Sequence, residues 1–96
     1  MSKRIFKYNL NLNDITILWI PKGGEVLTVN SQHNQIALWA LVDTDQIIQE
    51  CRFFHAFKTG KTITEETKLK TYLGTCKFDN DSYIIHVFET HNPLNQ

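Results

Sequence analysis

The apolar and polar positions of this chain alternate over most of its length, with turn-forming residues between the alternating stretches. Lys3 to Leu12 (KRIFKYNLNL) places Phe6, Tyr8, Leu10 and Leu12 on one side, the pattern of a strand with one buried face. Asn13 and Asp14 favour a turn, and Ile15 to Ile20 (ITILWI) follows as a β-branched and aromatic run. Pro21-Lys22-Gly23-Gly24 ends that run, because proline gives no hydrogen bond to a ladder and glycine tolerates positive φ. Glu25 to Asn30 (EVLTVN) alternates again, and Ser31 to Asn34 is a polar connection.

Gln35 to Asp43 (QIALWALVD) is the longest apolar run. In a strand it sends Ile36, Leu38, Ala40 and Val42 to one face and Ala37, Trp39 and Leu41 to the other. Both faces are then apolar. A strand of that kind is expected in the middle of a sheet, covered by the core on one face and by a second layer or a partner chain on the other. A buried helix of two turns is the competing reading, disfavoured by the short run and its flanking turns.

After the Asp43-Thr44-Asp45 loop, Gln46 to Lys58 (QIIQECRFFHAFK) separates into Ile48, Glu50, Arg52, Phe54 and Ala56 against Ile47, Gln49, Cys51, Phe53, His55 and Phe57. The second set is the more apolar. A helix is open for Asp45 to Cys51, while the aromatic residues from Phe53 onward favour a strand. Thr59 to Lys70 is the most polar segment and reads as a long connection with one helical turn at Thr64 to Thr67. Tyr72 to Phe78 (YLGTCKF) is a strand in which Gly74 marks a bulge or a close backbone approach. Asp79-Asn80-Asp81 is a hairpin turn, and Ser82 to Glu89 (SYIIHVFE) pairs back as the last strand.

About seven short strands with regular turn signals indicate an all-β fold, a small antiparallel sandwich or barrel. We expect one domain over residues 1–90 and a polar tail over residues 91–96. Two-sided apolar strands in so short a chain imply a dimer or tetramer, with an interface centred on Trp39 or on the last strand.

Composition narrows the function classes. Ten basic residues balance ten acidic ones, so the chain lacks the cationic field that duplex nucleic acid attracts. No stretch approaches the roughly 18 continuous apolar residues of a membrane span. The basic N-terminus is not followed by the continuous apolar segment of a signal peptide, so a cytoplasmic location is expected. Cys51 and Cys76 match no metal or redox spacing and read as buried reduced thiols.

No catalytic motif emerges. His33, His55, His86 and His91 show no metal-ligand spacing, and His86, inside a strand, reads as a satisfied core histidine. Cys51 and His55 lie roughly 13 Å apart along a strand, too far for a nucleophile and its base. Cations and aromatics do interleave between Arg52 and Lys61, joined by Tyr72. Arg52 and Lys58 suit phosphates, Phe54 or Tyr72 a base face, and Thr59, Gly60 and Lys61 polar or backbone contacts to an anion. The plainer reading of the same residues is core phenylalanines and solvated cations at strand edges.

The segments IFKYNL, LWALVD, FKTGK, YLGT and IIHVFE, spread from Ile5 to Glu89, resemble a family of short phage and prophage proteins described as a domain of unknown function. Such small oligomeric phage proteins are similar to the sponges that bind cyclic nucleotide signals of antiphage systems such as CBASS. The resemblance implies a nonenzymatic protein without cofactor or metal, in the cytoplasm of an infected bacterium. Its expected ligand is a cyclic di- or oligonucleotide, and it uses neither membrane nor duplex nucleic acid. A structural or protein-interaction module of a virion or host-takeover complex is the alternative.

Overall fold

In the computed structural model, which describes residues 2–93, the alternating segments form seven strands and no α-helix among the described residues. These are β1 (Lys3–Leu10), β2 (Ile15–Pro21), β3 (Glu25–Gln32), β4 (Gln35–Asp43), β5 (Gln49–Lys58), β6 (Leu69–Phe78) and β7 (Tyr83–Thr90). All pairings are antiparallel. One sheet has the order β1-β4-β3, the other β2-β5-β7-β6, and together they make a sandwich.

β4 is the central strand of the smaller sheet, with the bounds expected from its sequence. Ile36, Leu38, Ala40 and Val42 point into the sandwich and are all buried, where they meet Ile20, Phe54, Ala56, Ile85 and Val87 of the larger sheet. Burial of each large aliphatic or aromatic side chain contributes roughly 1.5–3 kcal/mol. On the outer face Ala37 is buried, whereas Trp39 and Leu41 are half-buried beside Lys7, Thr28 and Ile5 of the neighbouring strands. Those same-sheet neighbours supply part of the second cover.

Local chemistry sets the turns. His33 and Asn34 form a two-residue hairpin loop with φ of 52° and 62°, the mirror-image turn whose twist matches the flanking strands. Gly23 has φ of 86° and Gly24 donates to the Pro21 carbonyl at 3.0 Å, which closes the turn after β2. Gly74 does both things expected of it. The β6–β7 register slips beside it, and a Cβ at its position would stand 2.9 Å from Val29 Cγ2. Any larger residue would force β3 off β6, where the two sheets close together.

Four boundaries differ from the sequence reading by two residues or more, the first being β3, which runs on to Gln32 and leaves only His33-Asn34 in the loop. β1 stops at Leu10 because Asn11 turns, giving its N–H to Thr16 Oγ1 at 2.7 Å and its amide to the Ile15 carbonyl at 3.0 Å. β5 starts only at Gln49, after a bend in which Ile48 N–H bonds Gln46 Oε1 at 3.0 Å, and no helix forms there. β6 begins earlier, at Leu69, and Thr64 to Thr67 is a single hydrogen-bonded turn in the connection before it. The two thiols also differ: Cys76 is buried in the core and pushed up to about 11 by burial, while Cys51 is half-buried on the outer face.

One end of the sandwich is closed by charge rather than by hydrocarbon. Arg52 of β5 and Glu89 of β7 both point inward and pair bidentately, Nε to Oε2 at 2.7 Å and Nη2 to Oε1 at 2.8 Å. Nη1 donates to the Gly24 carbonyl at 2.5 Å and lies 3.7 Å from Glu50 Oε1. The Glu89 side chain is only 7% exposed. Removing one partner would leave the other charge buried and unpaired, a loss of about 3–5 kcal/mol. Glu89→Ala should therefore lower the unfolding free energy extracted from urea melts by about 3–5 kcal/mol, with a matching fall in midpoint at unchanged m, and an unchanged midpoint would show that the pair is solvated and dispensable.

Candidate functional site

Alternation along β5 divides the residues that the sequence groups together. Arg52, Phe54, Ala56 and Lys58 take one face, while Cys51, Phe53, His55 and Phe57 take the other. The set with fewer apolar members is the one that faces the core. Phe54 is 1% exposed there, so no face of its ring is open to a base. The fork of Arg52 is filled by Glu89 and Gly24, with the charge-assisted bond to Glu89 raising its pKa further. A phosphate could reach this guanidinium only by displacing a buried carboxylate.

The other five residues singled out by sequence converge. β5 runs out at Lys58, and the chain turns at Thr59-Gly60, with Lys61 N–H bonding the Lys58 carbonyl at 3.0 Å and Gly60 at φ 88°. The Thr59 N–H donates to the Ile84 carbonyl at 3.2 Å, which holds the turn against β7. The connection then bends over the outer face of the larger sheet. Between them lies a pocket of about 390 Å³, lined by Lys58, Thr59, Gly60, Lys61 and Ile63 on one side and Tyr72, Thr75, His86 and Phe88 on the other. That volume lies within the roughly 300–1,000 Å³ of small-molecule sites.

A chain of hydrogen bonds crosses this pocket. Thr59 Oγ1 meets His86 Nε2 at 2.6 Å, His86 Nδ1 meets Thr75 Oγ1 at 3.0 Å, and Thr75 Oγ1 meets the Tyr72 hydroxyl. Both imidazole nitrogens are thus occupied, as expected of a satisfied histidine, but the ring is half-buried on the outer face rather than in the core, because Ile85 and Val87 take the inner face of β7. The Tyr72 ring is 55% exposed and packs on Phe88 at 5.3 Å between centroids. Phe57 continues the aromatic row 6.1 Å beyond. Lys58 is exposed, with its ammonium 5.2 Å from the centre of the Tyr83 ring, and Lys61 is exposed at the rim. No acidic side chain lines this pocket among the described residues. Lys58 turns its ammonium to Tyr83, and the Thr59 and Lys61 amides are already bonded. The arrangement therefore offers an anion the Lys61 ammonium and the Gly60 amide, and it offers a planar ring one open tyrosine face.

Among the lining residues that sequence reasoning missed are Thr75, His86 and Phe88. They reach the pocket only through the pairing of β6, β7 and β5, in which His86 stands opposite both Phe57 and Thr75. The alternation of His86 with Phe88 in SYIIHVFE places the two on one face, and was the one signal available.

A larger cleft of about 540 Å³ opens over Arg52 and is also bordered by Lys70 and His91. Its floor holds two carboxylates, Glu50 and Glu89, against a guanidinium that they already neutralise. Size favours this cleft for a ligand, but charge favours the smaller pocket for an anion. Among the described residues no three His, Cys, Asp or Glu side chains stand close enough to hold a metal ion together.

His55 lies on the outer face with its ring 4.0 Å from Phe57. Burial is the main reason its pKa is lowered from 6.5, and the charge of Lys61 adds to the effect, against a smaller opposing pull from Asp14. The unfolded chain then binds the proton more readily. His55 accordingly contributes stability that is complete above pH 6.5 and lost as pH falls through the folded-state value. Urea midpoints should fall over that window in the natural chain and fall less in His55→Phe; equal slopes in the two would contradict this.

A search of the curated proteins and a search of the solved structures gave no match. The family model described as Domain of unknown function (DUF7352) matches residues 1–96. The chain therefore belongs to the DUF7352 family over its whole length.

Proposed function

We propose that this protein binds and sequesters a cyclic di- or oligonucleotide without cleaving it, as a phage-encoded sponge against CBASS-type signalling in the cytoplasm of an infected bacterium. The observation that carries the proposal is the convergence of Lys58, Thr59, Gly60, Lys61 and Tyr72 on one pocket, although Tyr72 lies on another strand. The Lys61 ammonium and the Gly60 amide suit phosphate, Tyr72 suits a base, and the Thr59 and Thr75 hydroxyls, which His86 holds in place, keep a hydrogen-bonding position each for a base edge or ribose. Affinity alone is enough for a sponge. The reading calls for no cofactor, membrane or duplex nucleic acid, and it retains self-association as a dimer or tetramer. Arg52 and Phe54 are left out of the site, since the one is neutralised and the other is core.

A second reading, a structural or protein-interaction module of a virion or host-takeover complex, is favoured by one observation. Ile17 and Trp19 stand 53% and 63% exposed on the outer face of β2.

A thermal-melt screen with cyclic di- and trinucleotides separates the two. The sponge reading expects a rise in Tm with at least one of them, and the nucleotide should be recovered intact after the complex is denatured by heat. A cleaved product would indicate a phosphodiesterase, and no shift with any of them would favour the interaction module. Charge-assisted contacts are worth roughly 1.5–3 kcal/mol, and stacking of one base roughly 1–3 kcal/mol. By calorimetry Lys61→Ala and Tyr72→Ala should each weaken binding about tenfold or more at nearly unchanged Tm. Full affinity in both would place the ligand elsewhere.

A further inference from the structure

The sandwich has four edge strands, β1 and β3 in one sheet and β2 and β6 in the other. Exposed edges invite pairing with other chains, and charged side chains are a common protection. β1 carries Lys3, Arg4 and Lys7, β3 carries Glu25, and β6 carries Lys70 and Lys77. β2, with the sequence ITILWIP, is the edge strand without a charge among the described residues. It also carries Ile17 and Trp19, which are more than half exposed. By contrast β7 lies between β5 and β6 with both edges paired, and Trp39 is half-buried, so neither is as open to a second chain.

The open hydrogen-bonding groups of β2 can be placed individually. Lys22 N–H bonds the Ile48 carbonyl and the Asp14 carbonyl accepts from Ala56 N–H, so even-numbered positions of this strand face β5. Odd-numbered positions therefore face the free edge. At Ile15 the N–H is taken by Asp14 Oδ1 at 2.7 Å and the carbonyl by the Asn11 amide at 3.0 Å. Pro21 has no N–H, and its carbonyl accepts from Gly24. What remains open along this edge is the N–H and C=O of Ile17 and of Trp19.

We propose that two copies of this chain pair antiparallel through β2 about a two-fold axis at Leu18. This joins the two larger sheets into one of eight strands, independently of what the pocket binds. The register follows from the open groups. With Leu18 opposite Leu18 of the second copy, Ile17 and Trp19 of each chain face Trp19 and Ile17 of the other, and all four open groups of each chain find partners. A register centred on Ile17 or on Trp19 leaves some of them unpaired or sets one against Pro21. The same register stacks Ile against Trp twice on the outer face. It also brings Asp14 of each chain toward Lys22 of the other, a complementary charge at both ends of the ribbon. The occupant that meets all of these demands is a second copy.

Light scattering over a dilution series tests this. The natural chain should approach twice 11.2 kDa at the concentrated end. Ile17→Pro removes an edge N–H without touching the β5 ladder, and Trp19→Lys adds the missing edge charge; both should remain at 11.2 kDa with the natural circular dichroism spectrum. In Leu18→Cys the two engineered thiols would meet at a non-hydrogen-bonded pair, where Cα atoms stand about 4.5 Å apart, a spacing that allows a disulfide. Mild oxidation should then give a covalent dimer that the natural chain does not form. A natural chain of monomer mass throughout, or full dimers in both edge variants, would overturn the proposal. Dimers lost in the edge variants without cross-linking of Leu18→Cys would overturn the register.

Discussion

A guanidinium at the inner end of a small sandwich is tolerable only when its charge and its donors are all answered, because each unpaired ion inside costs several kcal/mol. Arg52 is answered by Glu89 of β7 and by the Gly24 carbonyl from the turn after β2, with Glu50 nearby. Three separate elements are thereby fixed to one another at a point where no hydrocarbon closes the core. The functional cost is direct: the side chain best shaped for a phosphate is consumed by the fold. An anion in the candidate pocket would meet the Lys61 ammonium and the Gly60 amide instead, on the opposite face of the same sheet.

That outer face is unusually apolar for one side of an antiparallel sheet, which commonly faces water. Phe53 and Phe57 are buried there, half-buried His55 and Phe88 pack around them, and Tyr72 extends the row to the surface. The connection between β5 and β6 bends over part of the row and leaves the pocket beneath it. Farther along the same face, β2 has no such cover, which is why Ile17 and Trp19 stand open. One feature of composition, an aromatic-rich sheet with two apolar sides in a short chain, thus underlies both the candidate site and the candidate interface.

Much of the architecture was legible because it is written in short-range chemistry. The β4 bounds follow from QIALWALVD, the turn after β2 from PKGG, and the β6 irregularity from a glycine inside a strand pattern. The site was legible in half. Lys58, Thr59, Gly60 and Lys61 are contiguous, and any turn there keeps them together. Arg52 read as a free cation because its partner Glu89 lies 37 residues away and meets it only through the register of β5 with β7. Phe54 read as a stacking surface because alternation assigns residues to two faces but does not say which face meets the core. When both faces are rich in large apolar residues, that choice depends on which sheet stacks on which, a long-range fact. His86 was hidden for the same reason.

The central claim is that binding resides at the lysine turn with Tyr72 and His86, while the Arg52 end of the sheet is structural. Nuclear magnetic resonance titration of the isotope-labelled protein with a cyclic dinucleotide addresses it residue by residue. The account predicts saturable shift changes at Thr59, Gly60, Lys61, Tyr72 and His86, with Arg52 and Glu89 unmoved. Changes centred on Arg52, Glu89 and Lys70, or none at saturating amounts of any cyclic di- or trinucleotide, would contradict it.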